Sequence, residues 1–112
     1  MSYLDDISWN SDGLVPAIAQ DADTGVILMM AWMSKESLEV TVNSGLATYF
    51  SRSRNEIWQK GATSGNYQKV VRIEVDCDFD CLLITVEQVG NACHTGSHTC
   101  FDDQVTHPEV SQ

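Results

Sequence analysis

The spacing of apolar positions changes along the chain, and each change predicts an element of secondary structure. Residues 14–20 and 26–33 are apolar runs on either side of a polar segment that ends in glycine, a pattern typical of a β-hairpin. Residues 48–51 and 56–60 form a second pair of short apolar-rich runs around Arg54 and Asn55. The pattern therefore predicts two hairpins in the first half of the chain.

A helix is predicted between these hairpins. Ser34 is a favourable N-cap, and Leu38 and Val42 lie four positions apart on one helical face. Gly45 supplies the C-terminal stop. These signals predict one short helix over about residues 35–44.

The clearest strand signal follows. Residues 71–80 alternate between apolar and polar side chains with a period of two, and residues 82–89 form an apolar return strand. The predicted fold class is α+β, a strand-rich single domain over residues 1–112 with one main short helix. Residues from about 104 to 112 are polar and predict a frayed tail.

Composition limits the class of protein. Hydrophobic residues make up 43% of the chain and there are only two prolines, which favours a folded globule over a disordered chain. No run approaches the roughly 18 apolar residues of a membrane span, and the N-terminal segment lacks the features of a signal peptide. We therefore expect a cytoplasmic protein. In that compartment four cysteines favour metal binding or burial over disulfides.

The charge distribution says more than the net charge. A net charge of −10 opposes general affinity for nucleic acid or for an anionic membrane, so neither is an expected partner. Residues 52–72 nevertheless hold five of the six cations and only one acid, Glu56, a local charge of five minus one. This basic segment suits a small anionic ligand such as a phosphate, and equally suits a solvated strand face.

An acidic segment follows, with Asp76, Cys77, Asp78, Phe79 and Asp80 in a row. Strand alternation would place the carboxylates on one side and the thiol on the other. Carboxylates suit hard cations such as Mg²⁺, whereas thiolates suit Zn²⁺. A flat strand would separate the first and last aspartates by about 13 Å, so the chain must bend near Phe79 if one ion is to bind all three. Taken alone, these residues are explained better by a solvated acidic turn.

The cysteines are not spaced like a structural zinc site, because no paired Cys-x2–4-Cys knuckle is present. Cys77, Cys93 and Cys100 are sixteen and seven positions apart, which suits three ligands and an open fourth position. Such an open site is the catalytic pattern and can activate water. Cys81 starts an apolar run and fits a buried small hydrophobic residue better.

Strand length predicts how the thiols meet. An extended chain from Cys81 to Val89 rises about 26 Å, so Cys77 and Cys93 should lie at opposite ends of the hairpin within one chain. A second copy packed antiparallel about a two-fold axis would bring Cys77 of one chain to Cys93 and Cys100 of the other. The sequence therefore predicts a metal site shared across a homodimer interface.

Four segments resemble the phosphoribosyl-AMP cyclohydrolase family of histidine biosynthesis. They are Ser-Arg-Ser-Arg at 51–54, the run from Trp58 to Val70, Asp-Cys-Asp-Phe-Asp at 76–80, and Cys-His-Thr-Gly-Ser-His-Thr-Cys-Phe at 93–101. Trp9 and residues 13–33 are similar to the N-terminal region of that family, so the resemblance covers about residues 9–101. One such segment alone is a weak signal, but four in the same order are specific.

The resemblance implies hydrolysis of the N1–C6 bond of the adenine ring of phosphoribosyl-AMP, giving the ring-opened phosphoribosylformimino-AICAR phosphate intermediate. It implies an intertwined two-fold homodimer with one Zn²⁺ per subunit, held by Cys77 of one subunit and by Cys93 and Cys100 of the other. It also implies one Mg²⁺ per subunit at Asp76, Asp78 and Asp80. The pyrophosphohydrolase domain that is fused on in some relatives is expected to be absent.

Residue types then predict roles around this reaction. Zinc would activate water for attack on C6, and His94, beside a ligand, would carry the proton to N1. The basic segment would bind the two phosphorylated ends of the substrate, together with Mg²⁺. A loop at residues 61–66 would add hydroxyl, backbone and amide contacts. The predicted substrate-binding residues are Arg52, Arg54, Lys60, Ser64, Gly65, Asn66 and Lys69.

Two other functions remain open on the sequence. A non-catalytic zinc module could use the metal to join two subunits, with His94 or His98 as a fourth ligand in a closed site. A zinc deaminase acting on a purine would use the same attack on C6, but its His-x-Glu and Pro-Cys-x-x-Cys motifs are absent.

Overall fold

Six β-strands and one α-helix form residues 5–93 and 95–101, which are the residues that the computed structural model describes. His94 and the predicted tail at 104–112 lie outside the described residues. The strand-rich α+β fold class is confirmed. The elements are β1 Leu14–Asp21, β2 Ile27–Ser34, α1 Lys35–Ser44, β3 Thr48–Ser51, β4 Glu56–Gln59, β5 Gln68–Val75 and β6 Leu82–Gln88.

Helix α1 begins and ends where its capping residues predict. The Ser34 hydroxyl accepts a hydrogen bond from the Ser37 amide at 3.1 Å, and the Ser37 hydroxyl accepts one from the Ser34 amide at 2.8 Å. This reciprocal pair is a capping box, with serine in the place of the usual Glu or Gln. Gly45 closes the helix in the left-handed region at φ 76° and donates to the Thr41 carbonyl. The helix buries Leu38 and Thr41 against the sheet.

The strands form one sheet in the order β4-β3-β2-β1-β6-β5. Strands β1 and β6 pair in parallel, and every other neighbouring pair is antiparallel. The sheet curls far enough for Leu46, just before β3, to form a bridge with Lys69 of β5. The parallel pairing puts Leu82, the start of β6, beside Ala17 in the middle of β1. The acidic segment precedes this end of β6, and Cys93 follows the other end.

The inner face of the sheet carries the core. Alternate residues of β1, Val15, Ala17 and Ala19, are fully buried, and they pack with Ile84 of β6 and Tyr49 of β3. Larger side chains such as Val15 and Ile84 each contribute on the order of 1.5–3 kcal/mol when they leave water, and the alanines contribute less. The core therefore holds β1 and β6 side by side among the interior strands of the sheet.

The outer face of the same strands carries a row of apolar side chains. Cross-strand register places Ile18 of β1 opposite Met30 of β2 on one side and Leu83 of β6 on the other. Met30 is 45% exposed, and Ile18 and Leu83 are half-buried. We call Met30, Ile18 and Leu83 the outer row.

Strand β5 differs from its prediction at both ends. It starts three residues earlier than residue 71 and ends at Val75 rather than continuing to Phe79. A register shift between Val70 and Arg72 turns Val71 outward, where it is 53% exposed. The predicted alternation is therefore wrong at Val71, because a bulge inserts one residue into the strand. It is also wrong beyond Val75, where a turn replaces the strand.

Candidate metal centres and substrate site

The acidic turn, residues 76–80, joins β5 to β6. The Asp76 carbonyl accepts a hydrogen bond from the Phe79 amide at 3.0 Å, and Phe79 adopts a left-handed φ of 61°. The Asp80 amide then donates to Oδ1 of Asp76 at 3.0 Å. The turn brings ligand oxygens of Asp76, Asp78 and Asp80 within 4.8 Å of one another. The predicted bend near Phe79 is confirmed, and the predicted placement of Cys77 on the opposite face of a strand is wrong.

The crowded carboxylates of the acidic turn titrate unequally. The hydrogen bond from the Asp80 backbone amide is the main reason that the pKa of Asp76 is lowered. The pKa of Asp80 is raised, mainly by a side-chain hydrogen bond with Asp76 and further by desolvation and the charges of Asp76 and Asp78. Like charges this close disfavour full ionisation unless a cation lies among them. All the donors are hard oxygens, so the cluster fits Mg²⁺.

The thiol loop, residues 93–100, follows β6. The Cys93 carbonyl accepts from the Gly96 amide at 3.0 Å, and the Cys93 amide donates to the Ser97 carbonyl at 3.1 Å. The Cys100 amide donates to the Leu28 carbonyl at 2.7 Å, which attaches the loop to the start of β2. The Cys93 and Cys100 thiols are close enough for each to shift the pKa of the other. Two of the three predicted zinc ligands therefore meet within one chain.

The environment of the thiol loop distinguishes its two cysteines. The Thr95 hydroxyl donates to Sγ of Cys93 at 3.0 Å, and this bond is the main cause of a lowered pKa for the Cys93 thiol. Burial is the main cause of a raised pKa for Cys100, and its hydrogen bond to Cys93 adds to the effect. Metals bind the thiolate, so Cys93 is the thiol more readily available for ligation.

Cys77 lies apart from the thiol loop. It is exposed in the acidic turn before β6, whereas Cys93 follows the far end of that strand. Strand β6 has seven residues and so rises about 20 Å. Within residues 5–93 and 95–101, the three aspartates are the only group of three potential ligands close enough for one ion. Cys81 is half-buried, and burial raises its pKa, in accord with its interpretation as a packing residue.

Arg52 lies in an aromatic pocket that the sequence did not predict. Its guanidinium carbon is 4.9 Å from the centre of the Trp32 ring, a cation–π distance. A cavity of about 520 Å³ surrounds this pair, and Phe50, Trp58, Ala31 and Ser53 complete its lining. This pocket could not be predicted from the sequence, because Trp32 and Phe50 belong to different predicted hairpins and meet only in the folded sheet. Arg54 is exposed and pairs with Glu56 at 3.6 Å.

Lys60 and the 61–66 loop lie on the side of the thiol loop instead. The Lys60 ammonium donates to the Ala92 carbonyl, immediately before Cys93. The Ser64 hydroxyl accepts from the Asn66 amide at 3.2 Å, and the Gly65 amide donates to the Gly61 carbonyl at 2.7 Å. The remaining predicted substrate residue, Lys69, is exposed on β5 opposite Glu87. The predicted substrate residues therefore divide between two regions of this subunit.

Helix α1 has ten residues, and the described part of the chain contains no helix with the length and apolar character of a membrane span.

Comparisons with known proteins agree on one family. The family model described as phosphoribosyl-AMP cyclohydrolase matches residues 29–102. The phosphoribosyl-AMP cyclohydrolase of Thioalkalivibrio sulfidiphilus is 58% identical over 88% of this chain and 76% of its own length. Proteins of the same name from Marinobacter nauticus and Saccharophagus degradans are 60% and 56% identical, over 88% and 89% of this chain and 72% and 79% of their own lengths.

Proposed function

The chain belongs to the phosphoribosyl-AMP cyclohydrolase family, and we propose that it hydrolyses the N1–C6 bond of the adenine ring of phosphoribosyl-AMP, a step of histidine biosynthesis in the cytoplasm. One observation carries the proposal: the family match over residues 29–102 includes the whole acidic turn and the whole thiol loop. Both regions present metal-binding side chains in a chain that otherwise offers no such cluster among its described residues.

Zinc is the first proposed cofactor, one ion per subunit. Cys93 and Cys100 of one subunit and Cys77 of the other bind it. The proximity of Cys93 to Cys100 and the lowered pKa of Cys93 support the first two ligands. The exposure of Cys77, and its position at the other end of β6, support a third ligand that reaches the ion from a second chain. Sulfur donors select zinc over magnesium.

A two-fold homodimer follows from the same arrangement. The outer row of Met30, Ile18 and Leu83 lies on the face of β1, β2 and β6 that the core does not use. A second copy packed on this face removes the row from water and lays the two β6 strands across each other. The acidic turn of each subunit then reaches the thiol loop of its partner.

Magnesium is the second proposed cofactor, one ion per subunit at Asp76, Asp78 and Asp80. The three carboxylates meet within 4.8 Å. A side-chain hydrogen bond with Asp76, desolvation and the charges of Asp76 and Asp78 together raise the pKa of Asp80, and a divalent cation would relieve the charge repulsion. Because Cys77 lies between two of these aspartates in sequence, the magnesium and zinc sites are adjacent. The magnesium ion would bind the phosphates of the substrate.

The reaction adds water to C6, breaks the C6–N1 bond and leaves N1 with a proton. Bound zinc supplies a Lewis acid that makes water more acidic. His94, next to Cys93 in sequence, accepts the proton of the attacking water and delivers it to N1. Arg52 neutralises a phosphate, and the Trp32 and Phe50 rings beside it offer flat surfaces to the purine.

Purified protein supplied with Zn²⁺, Mg²⁺ and phosphoribosyl-AMP tests the proposal. We expect a change in purine absorbance as the ring opens, without release of ammonia, and no change with AMP that lacks the second phosphoribosyl group. Ammonia release would indicate a deaminase instead. A zinc-loaded dimer that leaves the substrate intact would indicate a non-catalytic zinc module.

A further inference from the structure

Asp21, the last residue of β1, is a buried carboxylate to which the proposed reaction gives no role. Its side chain is 8% exposed, and both of its oxygens have partners. Oδ1 accepts a hydrogen bond from the Asp23 amide at 2.9 Å, and Oδ2 lies 3.2 Å from Nε2 of His98. A carboxylate at this depth is stable only when it is paired, so the contact with His98 is a specific feature of the fold.

His98 connects Asp21 to both ends of the thiol loop. Its ring nitrogen Nε2 contacts Oδ2 of Asp21. Its backbone carbonyl accepts a hydrogen bond at 3.1 Å from the amide of Ala92, the residue before Cys93. Two residues further on, the Cys100 amide is hydrogen-bonded to β2. Fixing the position of His98 therefore restricts the distance between Cys93 and Cys100.

The loop has other attachments besides the contact with Asp21. The Thr99 hydroxyl donates to the Ile27 carbonyl at 2.6 Å, and Lys60 donates to the Ala92 carbonyl. These contacts anchor the two ends of the loop separately, to β2 and to the segment after β4. The Asp21–His98 contact adds a side-chain link between the loop and β1.

We propose that Asp21 is a positioning residue that acts through His98 to hold Cys93 and Cys100 at the spacing that zinc requires. The inference rests on the proposed zinc site. Carboxylates behind a metal centre commonly act in this way, and their loss typically lowers metal affinity about 10–100-fold. The neutral imidazole of His98 can donate from Nε2 to Asp21, so the link requires no change of charge.

Zinc affinity, measured by competition with a chromophoric chelator, tests the proposal without reference to activity. We expect Asp21→Ala to weaken zinc binding by about 10–100-fold. Asp21→Asn keeps an oxygen acceptor for only one of the two partners, so it should recover only part of that loss. Asp23→Ala, which removes an exposed carboxylate two residues away, is the matched control and should bind zinc like the parent protein.

His98→Ala breaks the same contact by changing the more exposed of the two side chains. It can therefore replace Asp21→Ala in the test if Asp21→Ala does not fold. The Asp21→Ala/His98→Ala double variant should lose no more affinity than the stronger single variant, because both substitutions break one contact. When Co²⁺ replaces Zn²⁺, the single and double variants should keep the thiolate charge-transfer band of the parent protein, because the positioning role leaves the thiolate ligands unchanged. Loss of a nitrogen ligand from the cobalt spectrum of His98→Ala would make His98 a ligand and overturn the positioning role.

Thermal unfolding of the metal-free proteins separates positioning from general stability. The proposal would be overturned if the Asp21→Ala variant unfolds at a lower temperature than the parent protein but binds zinc as tightly. If the parent protein binds zinc in this way but does not open the purine ring, the proposed reaction fails and the positioning role stands. If the parent binds no zinc, the zinc site and the positioning role both fail.

Discussion

The acidic turn and the thiol loop are both candidate metal sites, but they are assembled differently. Five consecutive residues of one turn bring Asp76, Asp78 and Asp80 within 4.8 Å of one another. The thiol loop brings together only Cys93 and Cys100, while Cys77 lies beyond a strand of seven residues. A short turn can thus complete a magnesium site within one chain. The proposed zinc site takes its third ligand from a second subunit, so we expect its formation to depend on dimerisation.

The largest expected effect comes from removing a thiol. Cys77→Ser, Cys93→Ser and Cys100→Ser should each lose zinc and essentially all activity, because two thiolates do not hold the ion tightly enough. Elemental analysis for zinc per subunit is the measurement. Cys81→Ser is the control and should keep its zinc; an empty site in that variant alone would show that the wrong cysteine was assigned.

His94→Ala should have the next largest effect. A proton-transfer residue contributes typically 10² to 10⁴ in rate, so turnover should fall at least about a hundredfold while zinc content and the dimer are unchanged. Substrate binding should change far less than turnover. Steady-state kinetics with parallel metal analysis is the measurement, and a joint loss of zinc and activity would instead make His94 a ligand.

Asp78→Asn tests whether the magnesium site can be weakened without loss of zinc. It removes one of three carboxylates and should weaken Mg²⁺ binding by at least about tenfold, because the ion loses a charged oxygen ligand. Zinc content should be unchanged. Calorimetric titration of the zinc-loaded protein with Mg²⁺ is the measurement. Asp12→Asn, which changes an exposed aspartate outside the turn, is the control. Equal Mg²⁺ affinity in both variants would show that the acidic turn is a solvated surface and not a magnesium site.

Arg52→Gln should have the smallest effect on catalysis and should change the binding of neither metal. Loss of a charge-assisted hydrogen bond to a phosphate should raise KM about tenfold, with little change in turnover. Arg72→Gln removes another charge from the basic segment, at a site paired with Glu74 at 3.0 Å, and is the matched control. Similar kinetics for the two variants would show that the aromatic pocket does not bind the substrate.

Local patterns in the sequence predicted much of this molecule. Ser34 and Gly45 fixed the ends of α1, and the need for a bend located the turn at Phe79. The bulge that exposes Val71 was not predictable, because it depends on pairing with β6. The parallel pairing of β1 with β6 could not be predicted for the same reason, since it joins residues about sixty-five positions apart.

The same division holds for the site. The predicted zinc ligands came from residue type and spacing, which a single sequence displays, and the three aspartates were assigned to a metal by the family resemblance. The contacts of Asp21 with His98 and of Arg52 with Trp32 join separate elements, so nothing near either residue in the sequence indicated them.

The most direct test of the shared zinc site is complementation between two inactive variants. Cys77→Ser and Cys93→Ser proteins are mixed in equal amounts, allowed to exchange subunits, and assayed after reloading with zinc. Each heterodimer has one intact site and one that lacks two ligands, so random exchange should restore about a quarter of the parent activity and zinc content. Activity that stays at the level of the separate variants, when mass spectrometry shows heterodimers, would place all the zinc ligands in one chain and contradict the account.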